Sequence, residues 1–408
     1  MLPVNLNDLT PEHIQGLIDS EVAESLTLEY KQQLPNKDGG DDKRSFLYDV
    51  SAMANAAGGD IVFGIAERRG ENNSNTGIAD KLSGERWPNV QAEMIRLSNY
   101  IKDGTAPRLT GVQMHPVTCD EGDALVIRVP SSWDRPHIVT MGKGDRFYKR
   151  SGATNNPMSV DEIRRAFSEQ GELRETIARW RASRLEMLEG GRGPVAVTSG
   201  VIMLFHIIPA EAFTPGAFTE TWRVSGAEKT NVYVPSGNYN QRYNADGFLC
   251  HGSLNRMETP HALRGYTQLF RSGIVEYGFS HNYQPPSGTA TQAIRAQGLE
   301  QEMVYCYQDA INRLRREGRT GAVYVGFSLV GIAGKSFYIS ELAWMDREYE
   351  IRQNVFSSPE VYVDLSETEE KQPFPKTLLP LVDTLWQVGG REDTPFKIKG
   401  VWEPFARY

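Results

Sequence analysis

Leu26, Leu28 and Tyr30 alternate with Thr27, Glu29 and Lys31, a period of two that reads as a strand with one apolar and one polar face. Glu29 and Lys31 therefore project together from the polar side. A polar, glycine-rich loop over 34–42 follows. Phe46, Val50, Met53, Ala54 and Ala57 then recur at helical spacing, and Gly58-Gly59 supplies the stop of a helix over Lys43–Ala57. Alanines at positions 52, 54, 56 and 57 keep that helix slim enough to lie close on a sheet. Ile61–Ile65 reads as a second, buried strand that Glu67 ends, while Glu24 stands just ahead of the first strand. A carboxylate able to hold a divalent cation, beside a lysine able to stabilise a developing negative charge, is nuclease-like chemistry. As plain surface chemistry, the same residues read as a cross-strand ion pair and a solvated strand end.

Upstream, Thr10-Pro11 opens a helix carrying Ile14, Leu17 and Ile18. Downstream, Glu71–Lys81 reads as polar loop and Val90–Ile101 as an amphipathic helix. Pro107–Met114 and Ala124–Val129 read as strands. Asp145–Gly152 reads as a short strand in which Arg146, Lys149 and Arg150, with Lys143 ahead of them, interleave with Phe147 and Tyr148. That mixture suits phosphate contact with base or ribose stacking. His137 reads either as a further phosphate contact or as a turn histidine. Ser159 and Glu162 form a capping box for a helix that runs, with a break near Gly171, to Leu188. Its Arg164, Arg165, Arg174, Arg179, Arg181 and Arg184 read as a solvated face balanced by Glu169, Glu172 and Glu175.

Gly190-Gly191-Arg192-Gly193-Pro194 is the clearest linker. The expected organisation is a domain over 8–188, a linker over 189–194 and a second domain over 195–408. The fold class is α+β (mixed α/β), with a separate C-terminal α+β domain. In that second part Val195–Ile208 reads as strand, Leu263–Phe279 as helix or strand, and Gly298–Glu317 as helix. Val323–Ala333 and Ser336–Leu342 read as a hairpin, and Leu378–Leu385 as a short helix. Gly334-Lys335-Ser336 imitates a phosphate loop, but position 329 is Leu and strand-like runs flank it, so a hairpin turn is expected.

A chain of 408 residues exceeds one ordinary domain. Its formal net charge of -8 argues against a basic coat for non-specific DNA binding and leaves room for a local basic groove. No window approaches the ~20 apolar residues of a membrane span. The N-terminus lacks the basic-then-apolar pattern of a signal peptide. Cys119, Cys250 and Cys306 form no CxxC pair. A cytoplasmic setting without membrane or disulfide framework is expected.

Four ordered stretches resemble the Schlafen-type Alba-like domain: Glu24-Ser-x-x-x-Glu29-Tyr-Lys31, Ala54-Asn55 through Gly58-Gly59 to Gly64-Ile65, Arg135-Pro136-His137, and Phe147-Tyr148-Lys149-Arg150-Ser-Gly152. The resemblance spans roughly residues 8–188. It implies a metal-dependent endoribonuclease acting on structured RNA such as tRNA. Glu24, Glu29 and Glu67 would be the catalytic carboxylates and the ligands of Mg2+ or Mn2+. Lys31 would stabilise charge at the scissile phosphate, and RNA would be favoured over DNA. The family usually has aspartate at the third acidic position, where this chain has Glu67. The same resemblance implies a role in antiviral (anti-phage) defence. It also implies a homodimer, because the Schlafen core pairs two related lobes and one motif set stands here. The C-terminal domain would recognise RNA, a partner or a trigger, with Tyr233–Tyr243 as an aromatic surface. The alternative is a non-catalytic DNA- or RNA-binding regulator or sensor using the same groove.

Overall fold

The computed structural model describes residues 2–3, 6–141, 146–197, 200–213, 232–235, 239–252, 265–281, 293–317, 319, 321–338, 349–365 and 374–406. They form two compact units. The first is Met1–Arg174 with Glu317–Gly321 and Asp364–Glu367; the second is Glu175–Arg316 with Ala322–Val363 and Thr368–Tyr408. Both mix helices and sheets, so the fold class is α+β.

In the first unit the elements run α1 (Pro11–Asp19), β1 (Leu28–Lys31), α2 (Gly40–Ala54), β2 (Gly58–Phe63), β3 (Ile65–Arg69), β4 (Asn75–Leu82), α3 (Val90–Gly104), β5 (Thr105–Ala106), β6 (Gln113–Cys119), β7 (Gly122–Pro130), β8 (Ile138–Val139), β9 (Arg146–Ser151), β10 (Thr154–Pro157) and the start of α4 (Val160–Glu189). One sheet has the order β1-β2-β7-β6, with β1 parallel to β2 and the other pairs antiparallel. Period-two alternation along β2 gives each face its own core. Ile61 and Phe63 pack with Phe46, Leu47, Val50 and Met53 of α2 and with Leu97 and Ile101 of α3. Val62 packs with Tyr30 of β1 and with Ile14 and Leu17 of α1. Each such burial stabilises by about 1.5–3 kcal/mol, which fixes β1 as the edge strand of a two-faced layer. A second, antiparallel sheet has the order β10-β9-β8-β5, and β3 pairs with β4 as a separate ribbon.

Several expectations change here. The first strand starts at Leu28, because Ser25 bonds back to the Leu28 carbonyl and turns the chain; Leu26 in that turn is 40% exposed. The stretch expected to be a loop over Glu71–Lys81 contains β4. Only Ala79 and Leu82 of that strand are buried, so its hydrophobic signal is weak. No strand spans Pro107–Val112; β6 begins at Gln113. The capping box forms as expected, with Ser159 and Glu162 exchanging hydrogen bonds of 2.9 and 3.3 Å. Helix α4 then passes Gly171 without a break.

The second unit takes the remainder of α4 and continues with β11 (Val201–Pro209), β12 (Tyr239–Tyr243), β13 (Gly247–Gly252), β14 (Gly265–Phe270), β15 (Val275–His281), β16 (Ala293–Arg295), α5 (Ala296–Arg316), β17 (Ala322–Val330), β18 (Ser336–Tyr338), β19 (Val355–Ser357), β20 (Val361–Asp364) and α6 (Leu379–Val388). Its large sheet has the order β12-β13-β14-β15-β11-β17-β19, with β20 also on β17. The stretch left between helix and strand thus becomes the β14–β15 pair. The expected hairpin of β17 with β18 does not form. β17 pairs with β11 and β19, and β18 lies parallel to β16. Between β17 and β18, Gly331 and Gly334 adopt left-handed turns and a strand, not a helix, follows.

Arg181 and Arg184 do not sit on a solvated face. Arg184 holds Glu276 with two bonds of 2.7 Å, and His206 and Tyr266 complete the buried cluster at 3.0 and 2.8 Å. Burial alone would raise the Glu276 pKa, but hydrogen bonds from Arg184 and His206 pull it down to about 2. Arg181 bonds Glu360 and the Phe327 and Ser358 carbonyls. Among the described residues no helix is long and apolar enough to cross a membrane.

Candidate functional site

The four sequence motifs meet in space through two buried side chains. Asn55, just past α2, accepts from the His137 amide (2.7 Å) and donates to the His137 and Tyr148 carbonyls (2.8 Å each). Arg150 of β9 reaches β1 and the turn before it, donating to the Ser25 and Leu28 carbonyls (2.9 Å each), with its guanidinium 2.6 Å from Glu29. The motifs are therefore stapled around the edge strand β1.

Glu29 and Lys31 do share one face of β1, 2.6 Å apart, but Glu29 is buried rather than solvated. A third group, Asp49 of α2, approaches the Lys31 ammonium at 3.2 Å. Burial works against the charged lysine, yet the Asp49 and Glu29 charges outweigh it and hold the Lys31 pKa above the ordinary lysine value. Asp49 is raised by its own burial, with Lys31 opposing. Glu29 Oε2 and Asp49 Oδ2 meet their cationic partners as ion pairs without a well-directed hydrogen bond.

Glu24 and Glu67 close on the same edge from the β3–β4 ribbon side. The Glu24 amide donates to the Gly77 carbonyl (2.6 Å), and the Gly77 amide donates to Glu67 (2.9 Å). Gly77 has φ +72°, and a Cβ there would stand 3.4 Å from Glu24 Oε2, so the bare backbone separates the two carboxylates. Glu24 also accepts from the Tyr30 amide at 2.9 Å. Its pKa is pushed up to about 7, first by burial and then by the Glu29 and Glu67 charges, against the Tyr30 hydrogen bond and Lys31. Glu67 lies at an irregularity of the β3–β4 ladder, where it also accepts from Asn75 at 3.0 Å.

Among the described residues, no three His, Cys, Asp or Glu side chains are grouped so as to hold a metal ion. Burial, and after it the Glu29 and Glu67 charges, raise the Glu24 carboxyl, and hard carboxylate oxygens are what Mg2+ or Mn2+ prefers. Glu24 and Glu67, which already accept from the Tyr30 amide and from Gly77 and Asn75, would be the carboxylates to offer oxygens to such a cation, with water completing its shell. Glu29 is already neutralised by Lys31 and Arg150.

The expected nucleic-acid contacts divide. Arg146 is exposed and Lys149 is partly so, 4.0 Å from Glu162. Arg150 has a fully covered side chain whose donors go to the Ser25 and Leu28 carbonyls, Glu29 and Asn155, so it staples the site rather than offering itself to a phosphate. His137 is buried, its ring nitrogens 2.8 Å from the Pro107 carbonyl and 2.6 Å from Ser132 Oγ; burial lowers its pKa. It stands directly ahead of β8 as an interior, hydrogen-bonded group. Lys143 lies outside the described residues. Sequence reasoning missed Asp49, Gly77 and Asn155, whose side-chain amide donates to Asp49 at 2.6 Å. Asp49 had a signal: it stands three residues after Phe46 and one before Val50, an acid inside an apolar stripe.

A helix-flanked sheet with a carboxylate–lysine cluster on its edge strand defines the N-terminal part as an α+β module with a polar site. The family model described as Schlafen, AlbA_2 matches residues 24–159, so this N-terminal part is of Schlafen/AlbA_2 type. That match ties it to nucleic-acid-related function. No curated protein matches the chain. Among solved structures, the DIP2311 protein from Corynebacterium diphtheriae is similar at 14% identity and a TM-score of 0.24, over 47% of this chain and 30% of that one. The chain thus spans less than a third of that relative. The N-terminal domain of an ATP-dependent DNA helicase RecG-related protein from Nitrosomonas europaea is similar at 17% identity and a TM-score of 0.26, over 37% of this chain and 95% of that one.

Proposed function

We propose that the N-terminal unit is a metal-dependent endoribonuclease module acting on structured RNA, with tRNA as the expected class. The observation that carries this reading is the cluster on the edge strand, with Lys31 2.6 Å from Glu29 and Glu24 beside them, a carboxyl that burial first and the Glu29 and Glu67 charges next raise to about 7. A bound Mg2+ or Mn2+ would polarise a phosphate oxygen and lower the pKa of an attacking water. Glu24 and Glu67 are the residues that would hold it, with Glu29 reaching it only by sharing its charge with Lys31 and Arg150, and the Glu24 carboxyl would give up its proton as the cation binds. Lys31 offsets charge developing on the phosphate. Arg146 and Lys149 supply backbone contacts. A homodimeric groove and a role in anti-phage defence are the further parts of this proposal, and both follow the family likeness.

The test is incubation of the purified chain with tRNA, rRNA and single- and double-stranded DNA, in Mn2+ or EDTA. The expected result is tRNA cleavage that EDTA abolishes and that Glu29→Ala lowers by about 100-fold or more while binding persists. Binding without cleavage in any metal would instead support a non-catalytic RNA-binding regulator. That second reading is favoured by one observation, that no three described carboxylates already form a cage.

A further inference from the structure

Five side chains form a closed ring beside β1. Lys31 lies 2.6 Å from Glu29 Oε1 and 3.2 Å from Asp49 Oδ2. Asp49 Oδ1 accepts from Asn155 Nδ2 at 2.6 Å. Asn155 Oδ1 stands 3.5 Å from an Arg150 guanidinium nitrogen, and a second Arg150 nitrogen returns to Glu29 Oε2 at 2.6 Å. Two anions, two cations and one amide therefore alternate, and they come from β1, α2, β9 and β10. We infer that Asp49 and Asn155 are positioning residues that aim the Lys31 ammonium, an inference that rests on the phosphodiester-cleaving reading above.

The physical argument starts from Lys31 itself. Its four-carbon stem is flexible and its side chain is 34% exposed, so one partner leaves the ammonium many orientations. Glu29 alone would draw it down over its own carboxylate. Asp49 pulls from the other side, and the ammonium rests between them. Asp49 can hold its place because Asn155 fixes one oxygen. Asn155 is itself fixed opposite Arg150 in the β9–β10 register. Asp49 is 5% exposed on the apolar face of α2. A buried acid there is costly unless it is paired, so its partner Lys31 is the reason the position tolerates it. Helix α2 thus sets the direction of a group carried by β1.

The experiment compares the full chain with Asp49→Asn and Asp49→Glu. It reads kcat and KM for tRNA cleavage in Mn2+, the melting temperature, and the NMR signal of the hydrogen-bonded Lys31 ammonium, assigned with Lys31→Arg. Asp49→Asn is expected to lower kcat by about 10–100-fold with KM within about twofold, and to lose the protected ammonium signal. Asp49→Glu, which keeps the charge, is expected to regain part of both. Equal kcat losses in the two variants that simply track melting temperature would overturn the inference. So would a protected signal that survives Asp49→Asn. If the parent chain cuts nothing in any metal, the nuclease reading fails separately, and the NMR comparison still decides whether Asp49 orders Lys31.

Discussion

Glu24 is the residue whose state most depends on its surroundings. Burial takes it out of water, Glu29 and Glu67 add negative charge, and its pKa rises from 4.5 to about 7. Between those values the unfolded chain has released the proton while the folded chain keeps it. Stability must therefore fall as pH rises through that window, and the loss is complete above about 7. Glu24→Gln removes the slope. The stability difference between parent and variant should change by about 1–2 kcal/mol between pH 4.5 and 7, a figure reduced for the partial solvation of the carboxyl. Urea denaturation across that range measures it, and a pH-independent difference would remove Glu24 from the cluster. The same charge should make added Mn2+ raise the melting temperature more at pH 7.5 than at pH 5.5, and only with Glu24 present. Glu29 and Lys31 were legible as a pair because strand alternation alone places them on one face. Whether that face was solvent or interior was not legible, since Arg150 arrives from more than a hundred residues away.

At the level of elements, the site depends on a turn. Gly64 joins β2 to β3 with φ +93°, and a Cβ there would lie 2.3 Å from the Asp123 carbonyl of the neighbouring strand β7. Only a bare backbone fits, and that turn sends Glu67 into its own ribbon instead of along the apolar strand. Gly64→Ala should cost about 2 kcal/mol or more, through left-handed strain and the clash together. The loss would appear as a lower melting temperature and a weaker response to Mn2+. A melting temperature within about a degree of the parent would mean the turn can relax, and Glu67 would not need it. The β3–β4 ribbon escaped sequence reading because six of the eight β4 residues are not buried and carry no apolar period. Helices α2 and α3 and strands β2 and β7 were legible for the opposite reason. Each has a continuous apolar face, and their side chains share one core.

For the whole chain, the net charge of -8 limits how nucleic acid can be held. Affinity has to come from a few local cations, Arg146 and Lys149 among those described. The logarithm of tRNA affinity should then fall with the logarithm of salt at a shallow slope, about -2 to -3. A filter-binding series from 50 to 200 mM salt, on the order of the range where such slopes are read, measures it. A slope steeper than about -6 would require a broad basic surface that the charge balance does not suggest. The sequence by itself determined the α+β class, a strand with Glu29 and Lys31 on one face, the slim helix after it and the capping box at Ser159. All of these follow from local periodicity and local hydrogen bonds, which a one-dimensional pattern carries. The tertiary structure alone decided that Arg150 and His137 are interior groups, that Arg181 and Arg184 are buried, and that Asp49 joins Lys31. It also decided that Gly77 stands between Glu24 and Glu67. Those outcomes depend on which distant segments meet, and at each of them a charge is taken from water and has to find its partner across the fold.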